Sequence, residues 1–182
     1  MKLYSRFKVY NVYFIIAVLM LTFTACNEKV DHKYSYFFKD GLILNSSNHQ
    51  LYSGTIKTSV NNKKLVYDVK NGEKDGSFVT YFSNGNVEMV GEMSKNKNSG
   101  YWRYFYSNGN LESEGNFKND VAEGNWKWYY PDGSLKEEGT YFNGKKNGTW
   151  IKYLPDGRPS KKNIYSQDEK LNEVEYYKLS SV

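Results

Sequence analysis

Gly76–Asn147 decides the fold when it is set out in rows of 24: GSFVTYFSNGNVEMVGEMSKNKNS, GYWRYFYSNGNLESEGNFKNDVAE, GNWKWYYPDGSLKEEGTYFNGKKN. A fourth row, GTWIKYLPDGRPSKKNIYS, follows and decays towards its end. The leading glycines are Gly76, Gly100, Gly124 and Gly148. A fixed period of this length marks a repeat architecture, in which each unit buries its apolar surface only against its neighbours.

Counting each leading glycine as zero, position two is Phe78, Trp102, Trp126 and Trp150, and position five is Tyr81, Phe105, Tyr129 and Tyr153. Positions eight and nine are Asn84-Gly85, Asn108-Gly109, Asp132-Gly133 and Asp156-Gly157. Position fifteen is Gly91, Gly115, Gly139 and then Asn163, and position seventeen is Met93, Phe117, Tyr141 and Tyr165. Aromatic and β-branched residues on either side of an Asn-Gly or Asp-Gly pair read as the two strands of a hairpin. Each row is therefore expected to hold a strand near positions one to six, a turn, and a strand near ten to eighteen. A second turn is expected at nineteen to twenty-three. In the third row Pro131 pre-sets φ for the turn, and Gly133 accepts the left-handed backbone that follows.

Period-two alternation puts Trp102, Tyr104 and Tyr106 on one face of their strand, and Trp126, Trp128 and Tyr130 on one face of theirs. Position five falls on the other face unless a bulge intervenes. The glycines at zero and fifteen are expected to let a neighbouring ring lie over the backbone. Most of these rings are expected to be the packing of the sheet itself, because a single-layer sheet has little else to bury. The same six residues form the candidate binding face, since a chain with few aliphatic residues should leave some rings partly exposed.

The row pattern, G-x-W-x-x-Y-x-x-D/N-G-x-L-x-x-x-G-x-Y, resembles the MORN family in the variant found in bacterial proteins of the YwqK type. The resemblance covers about Gly54 to Tyr165. It implies an all-β fold, an elongated and twisted antiparallel meander of hairpins. It also implies membrane-binding, protein-binding or scaffold roles, and some bacterial members carry an antitoxin label; fold alone does not choose among these.

Outside the rows, residues 1–25 have a basic start and then an apolar run of 14 residues, Val12 to Ala25. That is too short for an ordinary spanning helix, which needs about 20. It reads as a secretory signal. Thr24-Ala25-Cys26 resembles the end of a bacterial lipobox, with Phe23 where leucine is usual. Cys26, the only cysteine, is thus expected to carry lipid and hold the protein to a membrane surface. An uncleaved anchor is the alternative. Asn27 after the cysteine favours the outer membrane of a diderm cell envelope. Residues 26–36 read as a tether. Residues 37–53 read as an N-terminal cap hairpin around Asp40-Gly41, and 54–75 as a divergent first row of 22 residues (76 minus 54). Residues 166–182 read as a C-terminal cap or tail, with a final strand favoured over a helix.

Aromatics make up 18% of the 182 residues, with 15 glycines and 3 prolines, which suits an all-β repeat. The net charge of +5 rests largely on the leader: without Lys2, Arg6 and Lys8, 22 of the 25 basic residues face 20 acidic ones. A nucleic-acid partner thereby loses its main support. His32 and His49 read as solvated loop residues. Nucleophile elbows, zinc-protease helices and phosphate-binding glycine loops are missing from the chain. Carboxylates such as Glu112, Glu114, Glu137 and Glu138 read as a solvated face. The expectation is a lipid-anchored, non-enzymatic binding or scaffold module with a protein partner, no catalytic residues, no metal and no cofactor. The rivals are an antitoxin, a phospholipid-binding module and an envelope hydrolase.

Overall fold

The computed structural model describes residues 35–176. Thirteen strands follow one another: β1 (Tyr36–Lys39), β2 (Leu42–Asn45), β3 (Gly54–Val60), β4 (Lys63–Lys70), β5 (Glu73–Tyr81), β6 (Val87–Ser94), β7 (Lys97–Phe105), β8 (Leu111–Lys118), β9 (Val121–Tyr129), β10 (Leu135–Phe142), β11 (Lys145–Tyr153), β12 (Pro159–Ser166) and β13 (Glu169–Glu175). Strands β1 and β2 form an antiparallel hairpin in the first of two units. Strands β3 to β13 form a single antiparallel sheet in chain order, in the second unit. The all-β meander of hairpins implied by the rows is what is observed. Among the described residues no helix is long and apolar enough to cross a membrane.

Two kinds of turn alternate. The Asn-Gly and Asp-Gly loops close as a tight turn followed by one left-handed residue: Gly133 N donates to Tyr130 O at 2.8 Å, and Gly133 has φ +91°. At the opposite end of the sheet the turns are only two residues long. Both residues then have positive φ, as in Asn71-Gly72, Lys95-Asn96, Asn119-Asp120, Asn143-Gly144 and Gln167-Asp168. This is the mirror-image turn whose twist matches that of paired strands. Positions nineteen to twenty-three are thus not all turn. The strand resumes at position twenty-one and runs through the next leading glycine, so each first strand begins before that glycine rather than after it.

The leading glycine consequently sits inside a strand, at a bulge. Val90 pairs with Arg103 and Glu92 with Ser99, so Gly91 alone faces Gly100, Tyr101 and Trp102. The same offset recurs at Gly115 and Gly139. A bulge of this size needs left-handed backbone, and Gly100, with φ +68°, supplies it. The side chain at position two then folds back over the facing glycine. A Cβ on Gly115 would lie 2.2 Å from Trp126 Cδ2, which is no contact a real side chain can make.

The core is a line of such rings. Tyr67, Phe78, Trp102, Phe117, Trp126, Tyr141, Trp150 and Tyr165 touch in sequence from β4 to β12, with centroids 5.0–6.2 Å apart. The indole nitrogens are satisfied by the bulges: Trp102 donates to Glu92 O at 3.0 Å, Trp126 to Asn116 O and Trp150 to Thr140 O, both at 3.2 Å. A single-layer sheet can bury tryptophan in this way because each ring has backbone below it and the rings of adjacent rows beside it.

The first row departs from the others in a way that counting forward from Gly54 does not show. Its central turn is the two-residue Asn61-Asn62, and the row is short there while its second strand keeps full length, so Tyr67, not Val69, stands where the later rows have glycine. Tyr67 pairs with Phe78 in register and stacks on it at 5.9 Å. The bulge moves one residue on, to Asp68 facing Gly76, and Asp68 accepts from Thr55 Oγ1 and Ser77 N. The last row ends in a strand, β13, as favoured for the tail.

Candidate interaction surface

The six residues of the candidate face divide into two groups. Trp102 and Trp126 are 1% and 3% exposed and Tyr104 is 9% exposed, so these three belong to the core. Tyr106, Trp128 and Tyr130 are half-buried. The hydroxyls of Tyr106 and Tyr130 donate to the Tyr129 and Tyr153 carbonyls of the next hairpin, each at 2.8 Å. The structure therefore brings the six rings to neighbouring positions but spends most of their surface on holding adjacent rows together. Glu112 lies close enough to Tyr106 for its charge to raise that hydroxyl, after burial. Burial, first, and the Glu88 carboxylate push Glu112 above the usual carboxylate range, against the pull of Lys136. Cys26 lies outside the described residues.

The opposite face is built from positions one, three, five, fourteen and sixteen. A cross-strand file runs Val66, Val79, Val90, Arg103, Glu114, Lys127, Glu138, Ile151, Lys162 and Val174. It begins and ends apolar and is charged at its centre with alternating sign. Directly opposed unlike charges of this kind support the pairing of strands modestly. Position five does lie on this face. Tyr129 OH donates to Glu114 Oε1 at 2.6 Å, and Tyr153 OH to Glu138 Oε1 at 2.7 Å. Tyr101 shares the Glu114 carboxylate; burial of its hydroxyl and that bond push it up to about 12. Tyr129 is pushed higher still, again by burial first and then by Glu114. Neither hydroxyl ionises near neutrality, so both act as neutral donors to Glu114.

One stretch of this face is hollowed. Ser77, Val90, Glu92, Tyr101 and Arg103 surround a shallow groove of about 270 Å³ whose floor is the backbone of Gly76 and Gly91. The bulge glycines leave the floor bare and Ser77 leaves one wall low. Tyr101, 48% exposed, and exposed Arg103 form the other wall. Position one reads Ser77, Tyr101, Asn125 and Thr149, and position three reads Val79, Arg103, Lys127 and Ile151. An aromatic residue at position one occurs only in the second of these rows. Positions that the fold repeats are needed for packing; positions where one row departs are free to carry specificity. Tyr101 and Arg103 were not among the residues expected from period two, because that pattern picks out the ring-bearing face. The departure from the row pattern was the readable signal.

Among the described residues there is no group of three or more His, Cys, Asp or Glu side chains that could hold a metal ion. The Glu114 carboxylate is held by two tyrosines and flanked by Arg103 and Lys127 across the strands, an arrangement suited to fixing surface shape.

Comparison with known proteins supports the reading of the rows. The MORN repeat variant is matched at two adjacent repeats, residues 99–119 and 122–143. These are the rows of Trp102 and Trp126, and the match points to a repeat-based binding module. No curated protein matches the chain. Among solved structures, the chain is similar to one in the Glycosylation Associate Protein (Gap123) complex from Streptococcus agalactiae. The identity is 13% over 78% of this chain and 24% of that one, with a TM-score of 0.34. It is also similar to a chain of accessory secretory protein 1, 2 and 3 in Streptococcus pneumoniae, at 13% identity over 71% of this chain and 22% of that one, with a TM-score of 0.27. A third likeness is to the GtfA/B complex bound to UDP and GlcNAc, at 12% identity over 79% of this chain and 29% of that one, with a TM-score of 0.18. The chain spans about a quarter of the length of these structures.

Proposed function

We propose that this chain is a lipid-anchored, non-enzymatic protein-binding module of the cell envelope, a YwqK-type member of the MORN-variant proteins that docks a partner protein on its polar face at Tyr101 and Arg103. The observation that carries the reading is the division of labour between the two faces. The ring-bearing face is committed to the core at Trp102, Tyr104 and Trp126. The polar face holds a groove walled by an exposed tyrosine and an exposed arginine, residue types that dominate binding hot spots. Lipid on Cys26 would hold the module at a membrane surface through the tether that follows.

The test is capture of partners from envelope extract by the wild type and by Tyr101→Ser with Arg103→Ser. Both positions are exposed, so the thermal midpoint should stay within a few degrees of wild type while the partner is lost. Equal capture by the double variant would overturn the assignment of the surface. A hydrolytic activity that purifies with the chain would overturn the non-enzymatic reading.

A further inference from the structure

Strand β13 differs from the strands it follows. Glu169 through Val174 are all exposed and Glu175 is half-buried, so β13 buries no apolar side chain. Leu171 and Val174 both face solvent. It has neither the bulge glycine nor the position-two ring that lock β7, β9 and β11 onto their predecessors. In place of a ring contact it has ion pairs. Lys161 Nζ of β12 lies 2.9 Å from Glu173 Oε1 and 3.0 Å from Glu175 Oε1, and Lys170 Nζ also reaches Glu173. Surface pairs of this kind, even half-buried, contribute modestly and are screened by salt. The junction carries a further weakness: Asn163, opposite Glu173, is 3% exposed and its Oδ1 has no hydrogen-bond partner. A buried acceptor left unpaired is costly.

We propose that β13 is a releasable strap that occupies, in cis, a docking edge on β12 for an extended acidic segment of a partner protein. Release of β13 opens the backbone ladder of β12, and an incoming strand can complete it by β-augmentation. Charge selects the occupant. Lys161 and Lys162 stand on opposite faces of β12, and β13 meets Lys161 with two glutamates spaced two residues apart. The partner strand carries the same Glu-x-Glu spacing. The strap is thus an internal stand-in for the ligand. This rests on reading the chain as a protein-binding module, but uses a different surface from Tyr101 and Arg103, so either can fail alone.

The probe is a labelled peptide with the sequence of Glu169–Glu175, added to the full chain. Amide exchange in β13 should be much faster than in β9 to β11. Removing the cis ion pairs with Glu173→Gln and Glu175→Gln should speed it further and tighten the peptide about tenfold. Lys161→Glu should also loosen β13 yet abolish binding of the acidic peptide, while a peptide with lysine at the two glutamate positions should bind instead. The proposal is overturned if β13 amides are as protected as those of β10. It is also overturned if the peptide binds the double variant no better than wild type, or binds Lys161→Glu unchanged.

Discussion

Gly115→Ala isolates the device that lets one sheet layer bury tryptophan. The methyl group would lie 2.2, 2.3 and 2.5 Å from Cδ2, Cε2 and Cγ of Trp126. Ordinary carbon contacts begin near 3.5 Å, so the indole must retreat by on the order of 1 Å. It has nowhere to go: it is 3% exposed, edge-on to Phe117 at 5.1 Å and stacked on Trp128 at 5.8 Å. Overpacking alone costs about 1–3 kcal/mol. Loss of the Trp126 Nε1 bond to Asn116 O adds roughly 1 kcal/mol. Complete loss of the packing of a large aromatic, about 3–5 kcal/mol, is the ceiling. Against this, alanine restricts the unfolded chain and returns about 0.4–1 kcal/mol. The expected net cost is about 3 kcal/mol.

The assay is urea unfolding of four proteins: wild type, Gly115→Ala, Trp126→Leu, and the two together. In the Trp126→Leu background the added methyl has space and should be close to neutral. The coupling energy should therefore be about 2–3 kcal/mol, within the range for residues in direct contact. If Gly115→Ala costs the same in both backgrounds, the ring does not lie over that glycine and the account of the core fails.

Gly133→Val should destabilise by about 1–3 kcal/mol through backbone strain alone, since φ is +91° and no atom lies within 4 Å of the would-be Cβ; a melting temperature within a degree of wild type would count against it. Glu112→Gln should stabilise at neutral pH and not in acid. A carboxyl whose folded-state value is raised favours folding while protonated, and that stability is lost as pH rises through the folded value; thermal melts at the two pH values check the sign. Cys26→Ser should release the protein from membranes after a carbonate wash; a variant as membrane-bound as wild type would favour an uncleaved anchor.

Much of this architecture was legible because a repeat states its own grammar four times. The glycine at fifteen and the ring at two recur together, and only their contact explains both. The two-residue turns were harder to read, because Lys95-Asn96 and Gln167-Asp168 lack glycine and still take positive φ at both positions. Their backbone is set by the twist of the paired strands, which is not a local property of the residues. Burial was less legible than face. Alternation places Trp102 and Tyr104 together, but whether a ring is covered depends on the adjacent rows and on a bulge that alternation cannot show.

The polar face follows a rule at a spacing of 15 residues, the separation of the bonded pairs Glu114–Tyr129 and Glu138–Tyr153. At the same spacing Val90 precedes Phe105, where a hydroxyl would have no carboxylate to meet. Val66 precedes Tyr81, and there Lys64 stands 4.9 Å above the ring. The identity at position five thus tracks what the preceding row offers at position fourteen in the second, third and fourth rows. Neighbouring rows specify each other in pairs, and the groove at Tyr101 opens where an apolar pair, Val90 with Phe105, adjoins the first of the charged ones.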